Sequence, residues 1–225
     1  MRLIFVRHGE PNYEKDCLTE TGVRQAKAAA KRLMREGIEQ VFSSPQGRAI
    51  ETAREYALMA GNKPIIKLSF MHEISWGAMN GNELYNGGHP WTIADKLVSE
   101  GYEITRADWR EHPLFACNTV TACADYVAAE TDKWLETLGY RREGAYYRQI
   151  LSEANEKTCA LFSHGGSSTA ALAHLLNQTF PYMISLIHMP FTSIIILRFD
   201  ARPGSLCLPH LELAGDCAHY DIAED

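Results

Sequence analysis

Leu3-Ile4-Phe5-Val6-Arg7-His8-Gly9-Glu10 changes character halfway along: four apolar residues are followed at once by a cation, an imidazole, a glycine and a carboxylate. The apolar run has the length and branching of a buried strand, so the polar block sits at the strand's carboxyl end. The same change recurs twice. Val41-Phe42 runs into Ser43-Ser44-Pro45-Gln46-Gly47-Arg48, and the apolar stretch 158–162 runs into Ser163-His164-Gly165-Gly166. Each of the later two blocks opens a helical pattern. Short strands alternating with longer helices predict an α/β fold, a three-layer α/β/α arrangement around a mainly parallel sheet.

Working outward, Thr19 is an N-cap for a helix whose face carries Val23, Ala26, Ala30, Leu33 and Met34, closed by Gly37. A second helix is expected over 47–59, a strand over 64–68, a long helix over 120–138 ending at Gly139, and a helix over 167–176. Residues 193–199 read as a fifth strand. Residues 206–213, after the Arg202-Pro203-Gly204 turn, are expected to pair antiparallel at an edge. Residues 78–118 differ, being rich in Gly, Asn, Trp, Tyr and His with one short helical pattern at 91–99. They are too few to bury a core of their own, so the chain is expected to be one domain, 1–225, with 78–118 an insertion over the strand ends.

Composition narrows the function. A formal charge of -6 argues against a nucleic-acid or anionic-membrane partner. The first apolar run is too short for a signal peptide or a membrane span, and the later run 194–197 has strand length. Cys17, Cys117, Cys123, Cys159, Cys207 and Cys217 form no C-x-x-C pair, which fits small buried thiols in a reducing, cytoplasmic setting.

Ligands of open parallel sheets bind at the carboxyl ends of the strands. There Arg7, His8, Arg48 and His164 converge, beside helix N-termini that favour anions. Arginine offers permanent charge and forked donors to phosphate oxygens. A neutral imidazole can attack phosphorus and carry the phosphoryl group, and a second imidazole with the arginines can stabilise the equatorial oxygens. Glycines beside each histidine, Gly165 among them, allow close backbone approach.

Four blocks, in order, resemble the histidine phosphatase superfamily, the phosphoglycerate-mutase-like proteins. They are Arg7-His8-Gly9-Glu10, Leu18-Thr19-x-x-Gly22-x-x-Gln25-Ala26, Ser44-x-x-x-Arg48-Ala49-x-x-Thr52-Ala53 and Ser163-His164-Gly165-Gly166. The resemblance implies that His8 is the phosphorylated nucleophile and that Arg7, Arg48 and His164 complete the phosphate pocket, with no metal and no cofactor. It also implies that Glu73, in His72-Glu73-Ile74-Ser75-Trp76-Gly77, is the acid for the leaving oxygen, with Glu10 in reserve. Pro11 and Glu14 stand where many members carry Thr and Asn, and Asn80 where an acidic residue is common. Glu10 and Asn12, beside those departures, are counted with the phosphate-binding residues.

The implied function is hydrolysis of a small phosphorylated metabolite. A phosphoglycerate-mutase-type phosphotransferase and a non-catalytic phospho-ligand regulator are the alternatives. The chain lacks the arginine-rich substrate loop after Glu73 that such mutases carry, and it retains both His, both Arg and a Glu, which disfavours a regulator. The nine histidines suggest a metal hydrolase, but no His-Glu-x-x-His or His-x-His pattern occurs. His72, His89, His112, His174, His188, His210 and His219 are assigned structural or surface places. Trp91, Tyr102, Trp109, His112 and Phe115, with Arg106 and Arg110, are the residues a substrate lid at 78–118 would supply.

Overall fold

The computed structural model describes residues 1–79, 81 and 83–222. In chain order the elements are β1 (Arg2–Arg7), β2 (Pro11–Asn12), β3 (Cys17–Leu18), α1 (Glu20–Leu33), β4 (Gln40–Ser43), α2 (Gly47–Met59), β5 (Ile65–Lys67), α3 (Pro90–Ser99), α4 (Pro113–Ala116) and α5 (Thr119–Thr137). There follow β6 (Tyr140–Glu143), β7 (Tyr146–Gln149), β8 (Thr158–Ser163), α6 (Gly165–Leu175), α7 (Phe180–Leu186), β9 (Ile194–Arg198), β10 (Leu206–Cys207) and β11 (His210–Asp216).

The main sheet has the order β11-β9-β1-β8-β4-β5. Strands β1, β8, β4 and β5 are mutually parallel, while β9 runs against both β1 and β11. Side chains of a strand alternate between faces, and here each face has its own core. Leu3 and Phe5 of β1, Cys159 and Leu161 of β8 and Ile195 and Leu197 of β9 join the side packed by α3, α5, α6 and α7. Ile4 and Val6, Ala160 and Phe162, and Ile194 and Ile196 join the side that α1 and α2 cover. Strands buried on both faces explain the unbroken apolar runs, and the three-layer expectation holds.

Most sequence-predicted elements are found within a residue or two, and the differences have causes. Thr19 caps α1 by accepting from the Gly22 amide at 3.0 Å, but the helix stops at Leu33. A 3-10 turn, Met34–Glu36, turns Met34 outward to 43% exposure before Gly37 closes it at φ 65°. The expected 206–213 edge strand is two strands: β10 joins the β6–β7 hairpin, and β11 forms the edge against β9. The hairpin and α7 were not foreseen. With its neighbours the hairpin serves the opposite end of the sheet, where the Met1 ammonium donates to Asn155 O at 2.6 Å and to the Tyr140 hydroxyl at 3.1 Å.

The 78–118 insertion is tied at its root by Asn118, which is fully buried. Its Oδ1 accepts from the Gly77 and Val120 amides, both at 3.1 Å, and its Nδ2 donates to Gly88 O at 2.8 Å. Trp109, Phe115, Ile93 and Leu97 sit in the main core, so most of the insertion packs against the body. Asn80 lies outside the described residues.

Candidate active site

Adjacent strands β1, β8 and β4 deliver the three polar blocks to one rim. Because β9 is antiparallel, the residues that precede it reach the same rim: Arg7 N donates to Ser193 O, and Thr192 N to His8 O, both at 3.2 Å. The His8 and His164 rings meet edge-on, with centroids 5.1 Å apart. Phe191 completes the wall, 5.7 Å from the His8 ring and beneath the Arg7 guanidinium at 4.4 Å.

His8 is buried, and its Nδ1 lies 2.7 Å from Gly9 O. A carbonyl can only accept, so Nδ1 carries the proton and a neutral ring presents its lone pair at Nε2. Burial, with the Arg7 and Arg48 charges adding to it, holds this imidazole down at about 3, against the Gly9 carbonyl and Asp16, which favour the cation. At neutral pH the His8 ring is uncharged. His164, also buried, is held low by burial and then by His8 and Arg48, and its Nε2 lies 2.8 Å from Ser44 Oγ.

Arg48 is anchored by Asp16, whose carboxylate caps the start of α2. Its Oδ2 accepts from Gly47 N at 2.7 Å, and its Oδ1 pairs with Arg48 Nη1. This close docking needs glycine at 47, where a Cβ would fall 2.0 Å from Asp16 O. Three buried nitrogens of the pocket, Arg7 Nε, Arg48 Nε and His164 Nδ1, have no partner. Buried polar atoms are rarely left so, and the two arginine Nε–H donors beside two neutral imidazoles suit an oxyanion.

Glu73 approaches the N-terminus of α6, accepting from Ser167 N at 3.0 Å and Gly166 N at 3.4 Å, and from Ile74 N at 3.0 Å. Burial raises its pKa, opposed by those amides and by the Arg7 charge. A carboxyl so placed holds a proton more firmly than an exposed one. Gly165 also stands at the pocket, where a Cβ would come within 3.7 Å of the Arg7 guanidinium. Glu10 and Asn12 are placed elsewhere. The Glu10 carboxylate accepts from Thr19 Oγ1 at 2.8 Å, tied to the α1 cap, and Asn12 Oδ1 accepts from Lys15 N at 3.1 Å within its own turn.

A cleft of about 370 Å³ continues from Arg7 and Glu73, lined by Trp76, Trp91 and His89 and by residues of α7 and the loop after it. His89 and His188, expected to be structural or surface residues, both line it. Of the expected lid residues only Trp91 does so. Trp109 and Phe115 are core, Arg106 pairs with Asp108, Arg110 with Asp125, and Tyr102 meets His112 edge-on at 4.8 Å. Phe191 and Asp16 belong to the site and were not singled out from the sequence, whereas Ser44 heads the block that carries Arg48. Among the described residues, no three His, Cys, Asp or Glu side chains are grouped as a metal site.

Fold and site together bring a buried neutral imidazole, a second histidine and two arginines to one rim of a three-layer α/β sheet, an arrangement suited to phosphoryl transfer. A profile of the histidine phosphatase superfamily (branch 1) matches residues 3–208, and the chain belongs to that superfamily. A Schizosaccharomyces pombe protein named by inference as a phosphatase is 30% identical over 105 residues, 40% of this chain and 50% of that relative. The chain thus spans half the length of that relative. A Hydrogenobacter thermophilus protein, named by inference as a phosphoserine phosphatase, is 26% identical over 91% of this chain and 93% of its own. Among solved structures, Entamoeba histolytica phosphoserine phosphatase in complex with 3-phosphoglyceric acid shares the fold at TM-score 0.60 and 22% identity, over 97% of this chain and 98% of that one.

Proposed function

We propose that the chain is a metal-independent phosphomonoesterase for small phosphorylated metabolites, working through a phosphohistidine on His8. The phosphate sits in the cradle of Arg7, Arg48 and His164, and His8 Nε2 attacks phosphorus. As the P–O bond to the alcohol breaks, Glu73 gives its proton to the departing oxygen. Water then attacks phospho-His8, Glu73 takes the proton back, and inorganic phosphate leaves with His8 restored. The observation that carries this reading is a buried neutral imidazole, protonated at Nδ1, that meets His164 edge-on beside two arginines whose Nε–H donors lack partners. Membership of the superfamily and relatives named as phosphatases support turnover rather than mere binding.

The test is hydrolysis of an aryl phosphate in excess chelator by wild type and His8→Ala, with rapid quench of the labelled enzyme. The expected outcome is chelator-resistant release of phosphate, an acid-labile and alkali-stable phosphoenzyme in wild type, and neither in the variant. Activity abolished by chelator, or a phosphoenzyme that survives in His8→Ala, refutes the route. Transfer of phosphate to a second alcohol instead of water identifies a mutase.

A further inference from the structure

Away from the phosphate cradle the cleft changes chemistry. Trp76, His89 and Trp91 form one aromatic cluster. The Trp76 ring meets His89 edge-on at 5.2 Å and Trp91 at 6.3 Å, and His89 lies 5.2 Å from Trp91 at an interplanar angle of 34°. Ile184, Ile187 and Met189 add aliphatic and thioether surface. Trp76 is left 41% exposed at this wall, unused by the core. An indole held in a concave site with its surface uncovered offers area that an apolar ligand would bury.

Charge is missing where a charged leaving group would need it. Arg7 is the one permanent cation among the described lining residues, and it is committed to the phosphate end, with Nη1 on Met189 O. The insertion's three cations are spent elsewhere: Lys96 on Glu100, Arg106 on Asp108 and Arg110 on Asp125. Of the lining hydroxyls, Thr169 Oγ1 donates to Gly165 O at 2.7 Å and Ser185 Oγ to Pro181 O at 3.2 Å, and the exposed Tyr13 phenol adds no positive charge. His89 Nδ1 accepts from Thr92 N at 3.5 Å as the cap of α3, and burial lowers its pKa, so it adds no fixed charge. His188 is the exposed imidazole of the lining.

On the reading given under Proposed function, we infer that the alcohol part of the substrate is an aromatic or otherwise apolar, uncharged group seated on Trp76, His89 and Trp91, and that phosphomonoesters carrying a carboxylate are poor substrates. A carboxylate entering this cleft would shed water without gaining a counter-ion, and would lie on the Glu73 side of the phosphate. An aromatic ring would meet the faces and edges of three others. The volume of about 370 Å³ accommodates one ring and a short linker.

Three primary alkyl phosphates of similar leaving-group chemistry test this without the bias of an activated phenol: 2-phenylethyl phosphate, ethyl phosphate and phosphoserine. Wild type should show kcat/KM for 2-phenylethyl phosphate at least about tenfold above the other two, the scale of aromatic contacts plus burial. Trp76→Ala should shrink the phenylethyl-to-ethyl ratio by about three- to tenfold, mainly through KM. Trp76→Arg, at the exposed position, should move the phosphoserine-to-phenylethyl ratio upward by placing a cation in the cleft. Preference for phosphoserine in wild type, or ratios unmoved by both Trp76 variants, overturns the inference while leaving the phosphohistidine route standing. Hydrolysis of none of the three, with no phosphate captured on His8, overturns the route itself and this inference with it.

Discussion

Gly166 packs against Ile74 and Glu73, and Gly166→Ala tests the acid role proposed for Glu73. A Cβ at 166 would stand 2.4 Å from Ile74 Cγ1, 2.5 Å from Ile74 Cδ1 and 2.7 Å from Glu73 Oε1, roughly 1 Å inside ordinary contact. Ile74 is 4% exposed and packed in the larger core, so it has little room to retreat. The 73–74 segment must shift away from α6 as a unit, and with it go the bonds from Ser167 N and Gly166 N to Glu73. The backbone is not the obstacle, because alanine is favoured over glycine inside a helix by about 1 kcal/mol. A displacement of about 1 Å in a catalytic group costs on the order of a hundredfold in rate, or about 2.7 kcal/mol. Single-turnover phosphorylation of His8 reads that step directly. With an alkyl phosphate, whose leaving oxygen needs a proton, the rate constant should fall about a hundredfold; with 4-nitrophenyl phosphate, whose phenolate leaves unaided, the burst should slow by less than about fivefold. Overpacking also costs about 1–3 kcal/mol of stability, so both enzymes are compared well below their unfolding temperatures. An equal loss on both substrates would place the damage in the phosphate cradle, and an unchanged alkyl rate would remove Glu73 from the acid role.

Three further outcomes follow from the same geometry. Arg48→Ala should lower kcat by about a hundred- to a thousandfold, as removal of one charged oxyanion donor does, and Arg48→Lys should not restore it, because a point charge cannot reproduce the fork that spans Asp16 and the phosphate; steady-state kinetics decide. His8 and His164 are both held below the ordinary histidine range, so between pH about 6.5 and about 3 the unfolded chain binds protons that the folded one refuses. Stability should therefore be full above pH about 6.5 and fall on acidification by up to about 1.4 kcal/mol per pH unit for each group; urea midpoints between pH 7 and 5 that are as steep in His164→Asn as in wild type would refute the assignment. Asn118→Ala strands the Gly77 and Val120 amides and the Gly88 carbonyl at the root of the insertion, so it should cost about 2–4 kcal/mol and lower Tm by roughly 5–15 °C in calorimetry.

The phosphate end of the site was legible in the sequence because it is built from chain-local units. Each of Arg7-His8, Arg48 and His164-Gly165 follows its own apolar run by one to six residues, and the rim rule for parallel strands brings those runs together. Phe191 was not legible for a related reason. It precedes β9, and only the antiparallel direction of β9 brings a preceding residue to the rim. Strand direction leaves no mark in a run such as Ile194-Ile195-Ile196-Leu197, so the wall against His8 was invisible. Asp16 was hidden by commonness, as a loop carboxylate with no pattern of its own. The β6–β7 hairpin was missed because Tyr140-Arg141-Arg142-Glu143 lacks alternation strong enough to mark a strand.

The division between the two ends of the cleft has an energetic logic. At the phosphate end, Arg7 and Arg48 are both held in place by oxygen acceptors, a Met189 carbonyl and the Asp16 carboxylate, yet each keeps an unpartnered Nε. The protein thus bears the cost of ordering the cations in advance, and burial, with their charge adding to it, suppresses protonation of His8. A third fixed cation further out would have strengthened binding of any anion, inorganic phosphate included, and so slowed its release. On the inference above, an aromatic wall at Trp76, His89 and Trp91 would add affinity for the ester through its alcohol alone. That affinity would be lost once the alcohol departs, so the energy that holds the substrate would not hold the phosphate that remains.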